Sequence, residues 1–355
     1  MLTIHKQSWG TLDDGRVVSL YTLKNNLGTQ IALSDFGAMI ASIKTNDADG
    51  MNDEITLNHE SFYAYYHNGE HPFLGGTIGR FAGKINEGKF RIGDKEYALA
   101  QNQAPNHLNG GVEGFDRKLW TGTRIRENDR VGVRFTFVAK HLEEGYPGNL
   151  QVNTTYYLND KNELRIDFEA VSDEDTHVNI TNHTYYNLKG AKSGNCLDHQ
   201  IRLYADRFLH LNENHIPSGE LMPVSGSPMD FTSEKVLGKH IDTDYEQVKL
   251  TSGFDHDWVL NSAEKEVLKH AASVYEPNSR RTLDVYTTYP SVHLYTGNSL
   301  HNFENTQGNT FEKHAGLALE AQYYPDSPNH SHFPSTLLEK GRLYSEKTIL
   351  KFGIR

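Results

Sequence analysis

The chain has one cysteine, Cys196, in 355 residues. No intrachain disulfide can form, which fits a reducing compartment. A lone cysteine is read first as a small buried thiol, not as a nucleophile. No stretch of about 18 apolar residues occurs, so no membrane-spanning helix is expected. Met1 to Gly10 has no basic patch followed by an apolar run, so no signal peptide is expected and the cytoplasm is the expected location. Positive charge is in deficit: 35 Lys and Arg stand against 46 Asp and Glu, a formal net charge of −11. That balance disfavours a nucleic-acid binder, which needs a basic face against phosphate, and disfavours adhesion to an anionic membrane. Walker, Gly-x-Ser-x-Gly and dinucleotide fingerprints are missing as well. His59, His67 and His71, and the pair His330 and His332, match no strong metal-ligand spacing, so no metal and no other cofactor is expected.

What the chain does contain is period-two patterning. Hydrophobic content is 37% and charged content 23%, enough apolar material for a core. In Leu164–Ala170 apolar and charged residues alternate, which puts them on opposite faces of a strand. Val131–Val138 and Thr282–Thr288 read the same way. Turn residues punctuate these runs: Asn159–Asn162, Gly93-Asp94 and Asn25–Gly28 each predict a hairpin. Strands recurring every 8 to 12 residues or so, with 19 Tyr and 16 Phe, indicate an all-β sandwich or barrel. Helix signals are confined to a turn or two at Asn58–Tyr65 and a helix or loop at Ser262–Ala271. With no repeat and no linker, residues 1–355 are expected to form one large domain with functional loops on one face.

Several segments combine residues suited to sugar chemistry. Thr181–Leu188 reads Thr-Asn-His-Thr-Tyr-Tyr-Asn-Leu, offering His183 with Tyr185 close by. His183 is expected at the end of a strand over Thr176–Ile180. Leu319–Asn329 offers Glu320 at the end of a short apolar strand, Gly316–Leu319, where a carboxylate is costly unless paired or working. A histidine and a carboxylate flanking one substrate can move two protons near neutral pH. Asp255-His256-Asp257-Trp258 adds carboxylates for hydroxyls and an indole for the apolar face of a ring. Asn106–Gly111 is a Gly-rich turn carrying His107 and Asn109, and Gly79–Lys84 offers Arg80 and Lys84 as donors.

Taken in order, these motifs resemble the aldose 1-epimerases, the galactose mutarotases. The similarity runs over nearly the whole chain: Gly79–Ile85, Pro105–Trp120, Glu144–Gly148, Thr181–Leu188, Gly253–His256, Tyr295–Asn298 and Leu319–Pro325 all fit the family's pattern. The resemblance implies a large twisted antiparallel β-sandwich with few short helices. It also implies interconversion of the anomers of a free aldohexose; the expected partner is that small-molecule sugar, and the expected assembly a monomer or homodimer. By the same resemblance His183 is the general acid, Glu320 the general base and Asp255 a holder of sugar hydroxyls. At three positions the chain departs from the pattern. Asn109 stands where the family usually has a sugar-contacting histidine, with His107 two residues earlier. Lys84 replaces the usual Arg, keeping charge but losing the planar fork. His293 replaces a frequent Gln. Substrate contacts are therefore expected from Asp255, Lys84, Asn109, His107, Tyr185, His293 and Arg80. Two rival readings on the same scaffold are a sugar-binding or sensory protein, and a glycoside hydrolase or lyase with a second carboxylate near Glu320.

Overall fold

In the computed structural model, which describes all residues except 60, 68–71, 263, 265 and 304–310, strands dominate. Three large sheets of nine, six and five strands are accompanied by four two-stranded ladders among the described residues. The nine-stranded sheet runs in the order Thr121–Arg126, Arg130–Ala139, Leu150–Asn159, Glu163–Ser172, Leu343–Ile354, Arg281–Thr287, Lys269–Tyr275, Gln200–Leu203 and Lys235–Val236. The five-stranded sheet is a meander from Thr3–Thr11 to Asn52–Glu54.

Six strands build the sheet that matters for function. They are β1 (Tyr185–Tyr186), β2 (Arg207–Leu211), β3 (Pro217–Pro223), β4 (Asp255–Val259), β5 (Ser291–Tyr295) and β6 (Leu317–Gln322). Their spatial order is β1-β6-β5-β4-β2-β3, with every ladder antiparallel.

The alternation seen in the sequence sets the layers. Leu164, Ile166, Phe168 and Ala170 are buried while Arg165, Asp167 and Glu169 are not. These residues share one core with Tyr21, Leu23 and Ile31 of the five-stranded sheet and with Trp258, Val292, Leu294, Leu319 and Ala321 of the six-stranded sheet. The nine-stranded sheet is thus covered by the other two, as a twisted sandwich requires. The three expected hairpins form: Leu158 pairs Leu164 across Asn159–Asn162, Ile92 pairs Lys95, and Lys24 pairs Gln30.

Some local expectations need correction. The first helix is Phe62–His67, slightly later than expected; His71 lies outside the described residues. The described residues of 262–268 are not helical, and Lys269 opens a strand. A short helix over Glu246–Thr251 carried no strong sequence signal. Thr176–Ile180 is not one strand; Thr176–His177 pairs with Leu337–Leu338, and Asn179 makes a separate parallel bridge to Phe81. No helix among the described residues is long and apolar enough to cross a membrane.

Candidate active site

Glu320 does not sit beyond a strand end; it is the fourth residue of β6. Because successive side chains of a strand point to opposite faces, Leu319 and Ala321 enter the core while Ala318, Glu320 and Gln322 share the other face. The register repeats this across the sheet. His293 pairs with Glu320, Tyr295 with Ala318, Asp257 with His293 and Asp255 with Tyr295. One face of three neighbouring strands therefore carries Asp255, Asp257, His293, Tyr295, Glu320 and Gln322. The other face carries Trp258, Val292, Leu294 and Leu319, all deeply buried. Burial of each such side chain contributes about 1.5–3 kcal/mol, and this apolar layer fixes which face looks outward.

That polar face forms the floor of a cleft of about 240 Å³. The Asp255–Trp258 segment is strand, not loop, so its residues divide: Asp255 and Asp257 line the cleft. His256 and Trp258 are fully buried on the core side, where Trp258 Nε1 donates to the Met229 carbonyl at 3.0 Å. Trp258 is thus no platform for a ring. Aromatic surface in the cleft comes instead from Phe73, Tyr185, Tyr295 and Phe303.

His183 lies between two short paired segments, Thr181–Asn182 and β1. Its backbone is held on both sides: its N–H donates to Gly76 O and its carbonyl accepts from Gly75 N–H, both at 2.9 Å. Gly75 is required there, since its φ is 68° and a Cβ would come within 2.0 Å of Ile40 O. The imidazole is wedged between Phe73 and Tyr185, with ring centroids 5.7 and 4.9 Å away. So held, its Nε2 stands 3.4 Å from Glu320 Oε1. Both side chains are nearly closed off from solvent. Burial pushes the Glu320 carboxyl up to about 8; His293 opposes that rise, and Asp257 and Asp255 add to it. An ordinary exposed glutamate would be a poor proton acceptor near neutral pH, whereas this one is matched to the task.

The opposite wall is built from a two-stranded ladder, Lys84–Ile85 with His107–Leu108, and the loops around it. Lys84 lines the cleft, and its neighbours are cross-braced: Lys84 O accepts from Asp326 N–H at 2.8 Å, while Asp326 accepts from Asn86 N–H at 3.0 Å. Burial lowers the Lys84 ammonium from its ordinary range, and Asp255 offsets part of that. Asn109 adopts φ 49°, a left-handed conformation Asn tolerates. Its N–H donates to Gly83 O at 3.0 Å and its Oδ1 accepts from Gly83 N–H at 2.8 Å. With its carbonyl held by Gly83, Asn109 keeps both amide N–H groups to turn toward a ligand.

A model of the family described as aldose 1-epimerase matches residues 19–351. The chain belongs to the aldose 1-epimerase family. It is 37% identical over 357 residues to the galactose mutarotase of Homo sapiens, covering 100% of both. To the aldose 1-epimerase of Escherichia coli (strain K12) it is 35% identical over 341 residues, covering 96% of both. Its fold matches the crystal structure of galactose 1-epimerase from Lactobacillus acidophilus NCFM with a TM-score of 0.87 and 27% identity, over 100% of this chain and 99% of that one.

Seven of the nine site residues expected for this aldose 1-epimerase family member line the cleft: His183, Glu320, Asp255, Lys84, Asn109, Tyr185 and His293. Arg80 and His107 do not. Arg80 is 2% exposed, and its Nη1 donates to Pro147 O at 2.6 Å and Gly148 O at 3.1 Å, tying two loops together. His107 is fully buried behind the wall; its Nδ1–H donates to Ala100 O at 2.6 Å and its Nε2 accepts from the Tyr146 hydroxyl at 2.7 Å. Neither side chain lines the cleft.

The sequence reading offered Asp257 only within the Asp255–Trp258 segment and did not name Gln322 or Tyr295 as lining residues. Each lies two positions from a named one, so period two applied to these segments would have found them. His215 also lines the cleft, from the turn Asn212–Ile216 at φ 59°, and no sequence signal marks it.

Proposed function

We propose that this chain is an aldose 1-epimerase that interconverts the α and β anomers of a free aldohexose such as galactose or glucose. Glu320, ionised, takes the proton of the C1 hydroxyl. His183, protonated, gives one to the ring oxygen. The electron pair of the C1–O5 bond leaves with O5, the O1–H pair forms the carbonyl, and an open aldehyde results. Rotation about C1–C2 presents the other face, and closure reverses both transfers.

The observation that carries this reading is the 3.4 Å contact between His183 Nε2 and Glu320 Oε1. The two oxygens served, O1 and O5, are bonded to one carbon, so their acid and base must be close neighbours. Proton transfers of this kind call for neither redox nor metal chemistry. Asp255, Lys84 and Asn109 hold or orient hydroxyl groups, His293 acts through Asp255, to which its Nε2 is bonded, and Tyr185 and Phe73 offer apolar surface to the ring, which lowers the entropic cost of alignment. We further propose that the substrate is a single small sugar, that the protein works as a monomer or homodimer, and that it resides in the cytoplasm, where its one buried thiol is at home.

Polarimetry of freshly dissolved α-galactose and α-glucose tests this. The wild type accelerates relaxation to the equilibrium rotation. His183→Asn and Glu320→Gln each lower turnover about 100-fold or more with the fold intact by circular dichroism. Near-wild-type rates in both variants reject the assignment.

A further inference from the structure

Behind the reacting pair lies an arrangement that the two proton transfers do not themselves use. His293 stands in register with Asp257 of β4 on one side and Glu320 of β6 on the other. Its Nδ1 is 2.9 Å from Asp257 Oδ2, and its Nε2 is 2.9 Å from Asp255 Oδ1. A neutral imidazole has one N–H and one acceptor nitrogen, while an ionised carboxylate only accepts. Two carboxylates on the two nitrogens therefore require two N–H groups. Asp257 is engaged through both oxygens: its side chain is 2% exposed, and its second oxygen accepts from Gln322 Nε2 at 2.8 Å. Asp255, at 32%, is the carboxylate that opens into the cleft.

We propose that Asp257 and His293 are positioning residues: Asp257 locks His293 as an imidazolium, which fixes the Asp255 carboxylate for sugar hydroxyls and supplies the positive charge beside Glu320 that lets this buried carboxyl ionise. The proposal deepens the mutarotase reading and rests on Glu320 as the base. The charges around Glu320 make the need plain. Asp255 and Asp257 face it from β4, His293 from β5 and His183 from the segment before β1. Lys84 and His215 bear on Asp255 from the opposite wall. Without the second proton on His293, three carboxylates would share one half-closed cleft. Burial alone would depress the imidazole, but Asp257 and Asp255 together hold it well above its ordinary range.

The test combines spectroscopy with kinetics. In the full-length protein labelled with 15N-histidine, the His293 signal, identified by its loss in His293→Gln, is doubly protonated and flat from about pH 5 to 9. In polarimetric assays His293→Gln moves the acid limb of kcat/KM upward by about one pH unit or more, a roughly tenfold loss below the limb. The double variant Asp257→Asn/His293→Gln removes the surplus carboxylate and returns the limb toward its wild-type position, which a merely structural role would not do. A His293 that titrates between pH 5 and 8, or carries one proton at pH 7, overturns the proposal. So does a double variant whose limb stays where His293→Gln puts it. The spectroscopic arm is independent of turnover: unchanged rates in Glu320→Gln beside a doubly protonated His293 overturn the Glu320 half and sustain the locked imidazolium.

Discussion

Replacing Glu320 by Gln should remove activity and yet stabilise the empty protein, by an amount that grows with pH. In the folded state the carboxyl is raised from its ordinary 4.5 to about 8, so the native protein holds this proton more tightly than the unfolded chain does. Stability contributed by the protonated form is complete below about pH 4.5 and is lost as pH climbs through about 8. At ~1.4 kcal/mol per pH unit, the deficit grows by about 3 kcal/mol between pH 5.5 and pH 8.5. Gln keeps the shape and never ionises, so it escapes that deficit. For a chain of 355 residues the unfolding entropy is about 0.7 kcal/mol per kelvin. The Tm advantage of Glu320→Gln over wild type should therefore widen by about 4 °C between the two pH values. Differential scanning calorimetry on both proteins at pH 5.5 and 8.5 measures it. An advantage that is constant with pH, or a variant less stable at pH 8.5, would refute the reasoning that desolvation dominates at this carboxyl. The expected trade of stability for function is common at catalytic sites.

Further outcomes follow from the same geometry. For the wild type, kcat/KM should rise about tenfold per pH unit through the acid range and level near pH 8, where Glu320 becomes ionised in the free enzyme; a profile flat from pH 5 to 8 contradicts the base assignment. Arg80→Lys should cost about 2–3 kcal/mol of stability in urea unfolding, because a buried fork bonded to Pro147 and Gly148 is lost, while KM stays within about twofold; a selective rise in KM would return Arg80 to the substrate site. Cys196 is fully buried, and its thiol is pushed up to about 12, so native protein should resist Ellman's reagent and react only at the rate of unfolding; prompt labelling at pH 8 would show the thiol to be accessible.

The sheet architecture was legible because hydrophobic alternation and turn residues act locally. Leu164–Ala170 declares its two faces without help from the rest of the chain, and Asn159–Asn162 declares its turn. His183 and Glu320 stand out in the sequence as motifs, but their setting does not. Glu320 looks like a residue beyond a short apolar strand because the apolar half of the alternation ends at Ala321, whereas the ladder to β5 runs on to Gln322. Asp255–Val259 looks like a polar loop because its cleft side carries two carboxylates; the pairing with β5 and β2 makes it a strand. Arg80 and His107 mislead for a different reason. Nothing local distinguishes a polar side chain that meets a ligand from one that meets carbonyls of Pro147 or Ala100, contacts 67 and 7 residues away. His215 depends on a turn whose placement over the cleft is set by β2 and β3, again beyond the reach of local pattern.

The floor of the cleft owes its chemistry to parity. Along β4, β5 and β6 every reacting or orienting group stands an even number of residues from the next. A deletion of one residue within β5 would leave the backbone ladder able to re-form, yet it would swing Val292 or Leu294 into the sugar's berth and thrust the imidazole among aromatic rings. Length in these three strands is therefore as tightly constrained as the identity of Glu320 itself. Libraries meant to retune sugar preference belong around Asn109 and His215, which lie outside the paired strands.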